Sequence, residues 1–117
     1  MGSIFDSNAE RTRRQRRTLA TLVTILRSAE DANLPPLRWS VIASETLHGQ
    51  CVDFGTDARR ATFDAWVDHL GAIRSPESTF LGSTHLRAAA SEVCGRPARL
   101  AITAELFEVN DNGGYDR

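Results

Sequence analysis

The chain has 117 residues, of which 41% are hydrophobic and 25% charged, a composition typical of one soluble globular domain. Its net charge of −1 excludes a protein that is basic throughout, as many polyanion-binding proteins are. Cys51 and Cys94 are too few for a disulfide framework, so we expect free thiols.

The N-terminus lacks the basic-then-apolar pattern of a signal peptide, and no apolar run approaches the ~20 residues of a membrane span. We therefore expect a cytoplasmic protein with no membrane contact. All 14 basic residues are arginine. A GC-rich, actinobacterial genome explains this bias, and a need for bidentate anion contacts is the alternative explanation.

The first predicted helix begins at Ser7, because Ser7 and Glu10 have capping-box spacing. It runs to about Ala32, where Asn33 and the Pro35-Pro36 pair end it. Residues 1–6 are expected to be a flexible lead. The predicted buried stripe of this helix consists of Leu19, Leu22, Val23, Leu26 and Ala29.

Alternating patterns predict strands over residues 37–43 and 47–54 before the second helix, and over 84–93 and 98–109 after it. In the first strand, Trp39 and Val41 are expected to face one side. In the last, Leu100, Ile102, Ala104 and Leu106 alternate with more polar residues. Residues 73–78 are interpreted as a loop holding Pro76, and Cys94-Gly95-Arg96-Pro97 as a turn.

The second predicted helix, residues 56–71, is the clearest amphipathic segment. Its large apolar residues share one stripe at helical spacing: Phe63, Trp66, Val67 and Leu70. Thr56 or Asp57 is a candidate N-cap, and Gly71 suits the left-handed position that ends a helix.

The order α-β-β-α-β-β predicts an α+β fold with a four-stranded, mostly antiparallel sheet and both helices on one face. One domain is expected over residues 7–109, followed by a flexible tail over 110–117. Strand order is left open by the sequence.

Five arginines precede the apolar part of the first helix: Arg11, Arg13, Arg14, Arg16 and Arg17. Residues 1–17 carry a net charge of +3, whereas the other 100 residues carry −4. Such a cluster can bind nucleic-acid phosphates. However, no helix-turn-helix pattern follows and no aromatic residues interleave, so a solvated face or a protein contact is favoured.

No catalytic or metal site is predicted. His48 and Cys51 have ligand-like spacing, but side chains three apart on a strand point to opposite faces. Asp64 and Asp68 fit a surface ion-paired with Arg60. Cys51 and Ser83 are candidate nucleophiles without a recognisable base. We expect no enzyme activity and no cofactor.

The sheet face away from the helices is a candidate interface, because the pattern predicts an apolar centre with a polar rim. Its candidate residues are Ile42, Val52, Ala101 and Phe107. Small α+β domains with an open sheet face often dimerise, which favours a homodimer by analogy.

Four segments resemble small actinobacterial proteins of unassigned function: LPPLRWSV, RRATFDAWVDHLGA, THLRA and a strand ending in AEL. The resemblance covers about residues 18–108 and rests on packing residues. It implies a fold, an actinobacterial source and an association with plasmids, prophages and regulatory gene clusters. It carries over no functional residue.

The sequence therefore favours a non-enzymatic interaction or adaptor module, accessory to an actinobacterial regulatory or mobile-element system. Such a module would act through a self-associating sheet face or the Arg-rich first helix, as a homodimer or with a protein partner. The alternative hypothesis is a small nucleic-acid-binding regulator that uses the five arginines.

Overall fold

The computed structural model describes residues 7–43 and 45–107. The expected lead (1–6) and tail (110–117) lie outside the described residues. The elements in chain order are α1 (Asn8–Asp31), β1 (Arg38–Ile42), β2 (Thr46–Gln50), α2 (Thr56–Leu70), β3 (Ile73–Arg74), β4 (Ser78–Phe80), β5 (Ser83–Val93) and β6 (Arg96–Phe107).

The α+β class is confirmed, but the sheet has six strands instead of the four expected. Their order is β1-β2-β6-β5-β3, and β4 also pairs with β5. The pairing of β2 with β6 is parallel and the other pairings are antiparallel. Of the additional strands, β3 falls in the loop predicted over residues 73–78, and β4 begins at the last residue of that loop. They are two and three residues long and exposed throughout, so they have no alternating burial pattern.

One face of the sheet carries the core, and both helices cover it, as expected. Leu47 pairs with Leu100 and Leu86 with Ala104, and all four side chains are buried. Side chains of α1 and α2 join this same cluster. The polar side chains of the strands therefore point to the opposite face, which we call the open face.

The capping box of α1 is confirmed, because the Ser7 side chain accepts from the Glu10 amide and the Glu10 side chain from the Ser7 amide. The predicted buried stripe is largely wrong. Leu19, Val23 and Leu26 are 45%, 47% and 43% exposed, whereas Ile25 is fully buried. The helix is apolar over a broad arc, so periodicity could not identify the flank that meets the sheet.

The apolar stripe of α2 is confirmed, with Phe63, Trp66 and Val67 buried. Neither predicted N-cap holds. Gly55 occupies that position without a side-chain cap, and the Thr56 hydroxyl donates to the Phe107 carbonyl instead. Gly71 ends the helix in the left-handed region, as expected.

Within the described residues, no helix is long and apolar enough to cross a membrane.

Two hairpin turns use left-handed backbone at both central residues. Leu81 and Gly82 have φ of 52° and 76° between β4 and β5, and Cys94 and Gly95 have φ of 53° and 76° between β5 and β6. Turns of this kind match the right-handed twist of antiparallel strands. The turn predicted over residues 94–97 is thus confirmed for Cys94 and Gly95 and wrong for Arg96 and Pro97, which already belong to β6.

Trp39 and Trp66 meet in the core, with ring centroids 5.6 Å apart in an edge-to-face arrangement. The Trp66 indole N–H donates to the Pro35 carbonyl at 2.7 Å. Gly49 leaves room for the other ring. A Cβ added there would lie 2.8 Å from Leu37 Cδ1 and 3.0 Å from the Trp39 ring.

We therefore expect Gly49→Ala to destabilise the protein by about 1–3 kcal/mol, because the added methyl forces a packed ring and a leucine out of place. Urea unfolding followed by tryptophan fluorescence measures the change. Ser40→Ala, on the exposed side of the neighbouring strand, should stay within about 0.5 kcal/mol. Equal stability of the two variants would contradict this account of the core.

Candidate anion-binding cleft

A cleft of about 590 Å³ separates the N-terminal half of α1 from the end of the sheet where β2 and β6 begin. Because these two strands are parallel, both begin at the same end of the sheet, and Thr46, the first residue of β2, pairs with Arg99, the fourth residue of β6. The cleft is lined by side chains from α1, the β1–β2 turn, β2 and the β5–β6 hairpin: Arg14, Arg17, Thr18, Ala20, Thr21, Glu45, Leu47, Ser91, Arg96, Pro97, Ala98 and Arg99.

Arginines from two elements face this cleft. Arg14 and Arg17 come from α1. Arg96 pairs with the buried Val93, so it lies on the helix-covered face, toward α1. Arg99 also borders the cleft, but strand alternation points its side chain to the open face, opposite the buried Leu100. Within the described part of the chain, one acidic residue, Glu45, lines the cleft.

The cleft arginines differ from those at the other end of the molecule in their partners. Arg60 pairs with Glu77 at 3.2 Å, and Arg74 pairs with Asp64 at 2.7 Å. Arg59 donates to the carbonyls of Glu105 and Asp53, both at 2.8 Å. By contrast, within residues 7–43 and 45–107 the side chains of Arg17, Arg96 and Arg99 form no ion pair.

The structure divides the predicted Arg cluster over several sides of α1. Arg14 and Arg17 line the cleft, and Arg13 and Arg16 line an adjoining shallow groove together with Arg17. The Arg11 guanidinium donates to the Asn8 side chain at 3.0 Å and borders neither. Sequence reasoning missed Arg96, because its approach to α1 depends on the parallel pairing of β2 with β6.

The four candidate interface residues do not form one patch. Ile42 is half-exposed on the open face of edge strand β1, and Val52 is half-exposed in the segment after β2. Ala101 is only 5% exposed. Phe107 lies eight residues beyond Arg99 on β6, roughly 26 Å along the strand, beneath the Arg59 guanidinium at 5.5 Å.

Polar side chains occupy the middle of the open face. His48 Nε2 and the Thr103 hydroxyl are 2.7 Å apart, and Arg87 pairs with Thr103 across the strands. Farther along β5, the Ser83 hydroxyl donates to Glu105 at 3.0 Å, and His85 lies 3.7 Å from the same carboxylate. In a serine triad, the serine hydroxyl donates its hydrogen bond to the imidazole. Here the Ser83 hydroxyl donates to the Glu105 carboxylate instead, so these three residues do not have the triad arrangement.

Cys51 is buried, with 3% exposure, whereas Cys94 is exposed in the β5–β6 turn. Burial, reinforced by the Asp53 carboxylate and opposed by Arg59, raises the pKa of Cys51 to about 12. The thiol therefore stays protonated at neutral pH, which does not suit a nucleophile. Among the described residues, no three potential ligands come together as a metal site.

The chain matches no protein-family model, no curated protein and no solved structure.

The two thiols should differ sharply in reactivity toward Ellman's reagent near neutral pH. We expect the exposed Cys94 to react rapidly in the native protein and Cys51 to react only after denaturation, because Cys51 is buried and protonated. Cys94→Ser should abolish the reaction of the native protein and leave the reaction of Cys51 after denaturation unchanged. Two native thiols that react at the same rate would contradict the placement of Cys51 in the core.

Proposed function

We propose that this protein is a non-enzymatic nucleic-acid-binding module whose cleft arginines bind backbone phosphates. The observation that carries this proposal is the approach of Arg17 and Arg96 from two elements, neither with an ion-pair partner among the described residues. Guanidinium groups bind phosphate oxygens through two parallel hydrogen bonds. A phosphate between α1 and β6 would supply the missing negative charge.

The surface around the cleft favours an extended polyanion over a single small anion. The groove lined by Arg13, Arg16 and Arg17 adjoins the cleft, so positive charge continues along α1. The hydroxyls of Thr18, Thr21 and Ser91 line the cleft as further polar groups. Nucleic acid presents closely spaced phosphates to such a surface.

The character of the lining also predicts the type of recognition. Leu47, Pro97 and Ala98 supply the apolar part of the cleft, and among the described residues that line it none is aromatic. The cleft therefore offers no ring for base stacking. Contacts limited to phosphates fix the position of a protein on nucleic acid but carry no direct sequence information.

A cytoplasmic location, expected from the sequence, is part of this proposal.

A second candidate function is the protein-interaction module favoured by the sequence. Exposed apolar side chains at the opposite end of the sheet support it. Phe80 and Phe107 both pair with Ser83, one on each side of it, and are 69% and 46% exposed. Leu81, in the adjoining turn, is 87% exposed. A surface of this kind is typical of protein contacts.

The nucleic-acid proposal predicts a specific salt dependence. Wild-type protein should bind labelled duplex DNA with an affinity that falls linearly on a log–log plot against salt concentration. Arg17→Gln with Arg96→Gln should weaken binding and reduce the slope by about 2, because each phosphate contact contributes ~0.9. Fluorescence anisotropy over a salt series measures both quantities.

A matched control removes the same charge elsewhere. Arg60→Gln with Arg87→Gln changes the net charge equally, but Arg60 pairs with Glu77 and Arg87 lies on the open face. This variant should keep the wild-type slope. If both double variants lose the same DNA affinity, the effect comes from net charge and not from the cleft. If the wild-type protein does not bind DNA at low salt, the proposal is wrong.

A further inference from the structure

The outer flank of α1 exposes an apolar stripe that the core does not use. Leu19, Val23 and Leu26 are each between two fifths and one half exposed. On the other flank, the Ser28 hydroxyl lies 2.7 Å from His69 of α2. Leu19 precedes Ser28 by nine residues, about two and a half helical turns, so it points away from α2.

The stripe lies above the free edge of the sheet. Helix α1 contacts β1, β2 and β6, whereas α2 contacts β5 and β6, so the flank of α1 that points away from α2 faces the β1 side. Strand β1 ends the strand order, so its outer backbone groups have no strand partner among the described residues. An exposed edge strand and an exposed helical stripe thus share one side of the molecule. Each is a surface that another chain can extend.

The spacing of residues on this flank suits a second copy of the same helix. Arg16, Leu19, Val23, Leu26 and Glu30 follow the alternating three- and four-residue steps of a coiled-coil seam. Arg16 and Glu30 stand seven residues on either side of Val23, and both are exposed. Within the described part of the chain, neither forms an ion pair.

A two-fold axis at Val23 makes this seam complementary to itself. In an antiparallel pair of α1 helices, Arg16 of one copy faces Glu30 of the other, and this happens twice. Leu19 of one copy meets Leu26 of the other, between the axis and the charged positions. In a parallel pair, Arg16 would instead face Arg16 and Glu30 would face Glu30, so like charges would meet.

We propose that a second copy of this chain docks on this flank, with α1 packed antiparallel against α1 at the roughly 8–10 Å usual for packed helices. The cleft arginines Arg14 and Arg17 lie on other sides of α1 and stay accessible, whereas Arg16, which also borders the adjoining groove, pairs with Glu30 of the second copy in this dimer. This inference does not depend on the proposed nucleic-acid binding.

Sedimentation equilibrium over a concentration series tests the proposal. Wild type should form a dimer, and Val23→Glu should weaken it at least about tenfold, because two carboxylates would meet at the axis. Arg16→Glu and Glu30→Arg should each weaken the dimer, since each creates like-charged contacts. The double variant Arg16→Glu/Glu30→Arg should recover it, because the reversed charges again face each other.

Two controls separate this surface from the rest of the protein. Ile73→Glu changes an apolar residue that is 78% exposed on the opposite sheet edge, and it should leave the dimer intact. Circular dichroism should show that each variant keeps its helix content. A monomeric wild-type protein overturns the proposal. So does a charge-swapped double variant that dimerises no more tightly than the two single variants. A dimer lost in Phe107→Glu but kept in Val23→Glu would instead assign the interface to the open face.

Discussion

The parallel pairing of β2 with β6 is the constraint on which the rest of the structure depends. It joins two strands about fifty residues apart in the chain and places the start of each at the same end of the sheet. Because α1 leads into β1, and β1 folds back on β2, the N-terminal half of α1 returns to that end. Arginines from distant segments thereby approach one another, and β1 is left as an edge strand under α1.

Arginine has two different roles in this fold. In the α2 half of the molecule arginine is structural. Arg59, in the first turn of α2, donates to the carbonyls of Asp53 and Glu105. Arg74 of β3 forms an ion pair with Asp64 of α2. At the cleft, the guanidinium of Arg17 has no such partner among the described residues. The hydrogen-bonding geometry of arginine serves both roles, because the same planar donors bind carbonyl, carboxylate or phosphate oxygens.

Local features could be predicted from the sequence because their causes are local. The capping box at Ser7, the left-handed Gly71 and the alternation along β6 each depend on residues a few positions apart. The flank of α1 that meets the sheet could not be predicted, because Leu22 borders two apolar arcs and only tertiary contacts choose between them. Likewise, Arg96 belongs to the cleft only through a long-range strand pairing, which leaves no trace in the neighbouring sequence.

The unequal distribution of charge gives the molecule an electric dipole along its sheet. At the cleft end, Arg17, Arg96 and Arg99 form no ion pair within residues 7–43 and 45–107, whereas near α2 Arg60 pairs with Glu77 and Arg74 with Asp64 and Asp68. A small net charge therefore conceals a strongly directional field. Such a field orients a protein before contact, so that encounters with a negatively charged surface begin with the correct end leading. If a polyanion is the partner, as proposed, this orientation would raise the fraction of productive collisions of a chain close to electroneutrality.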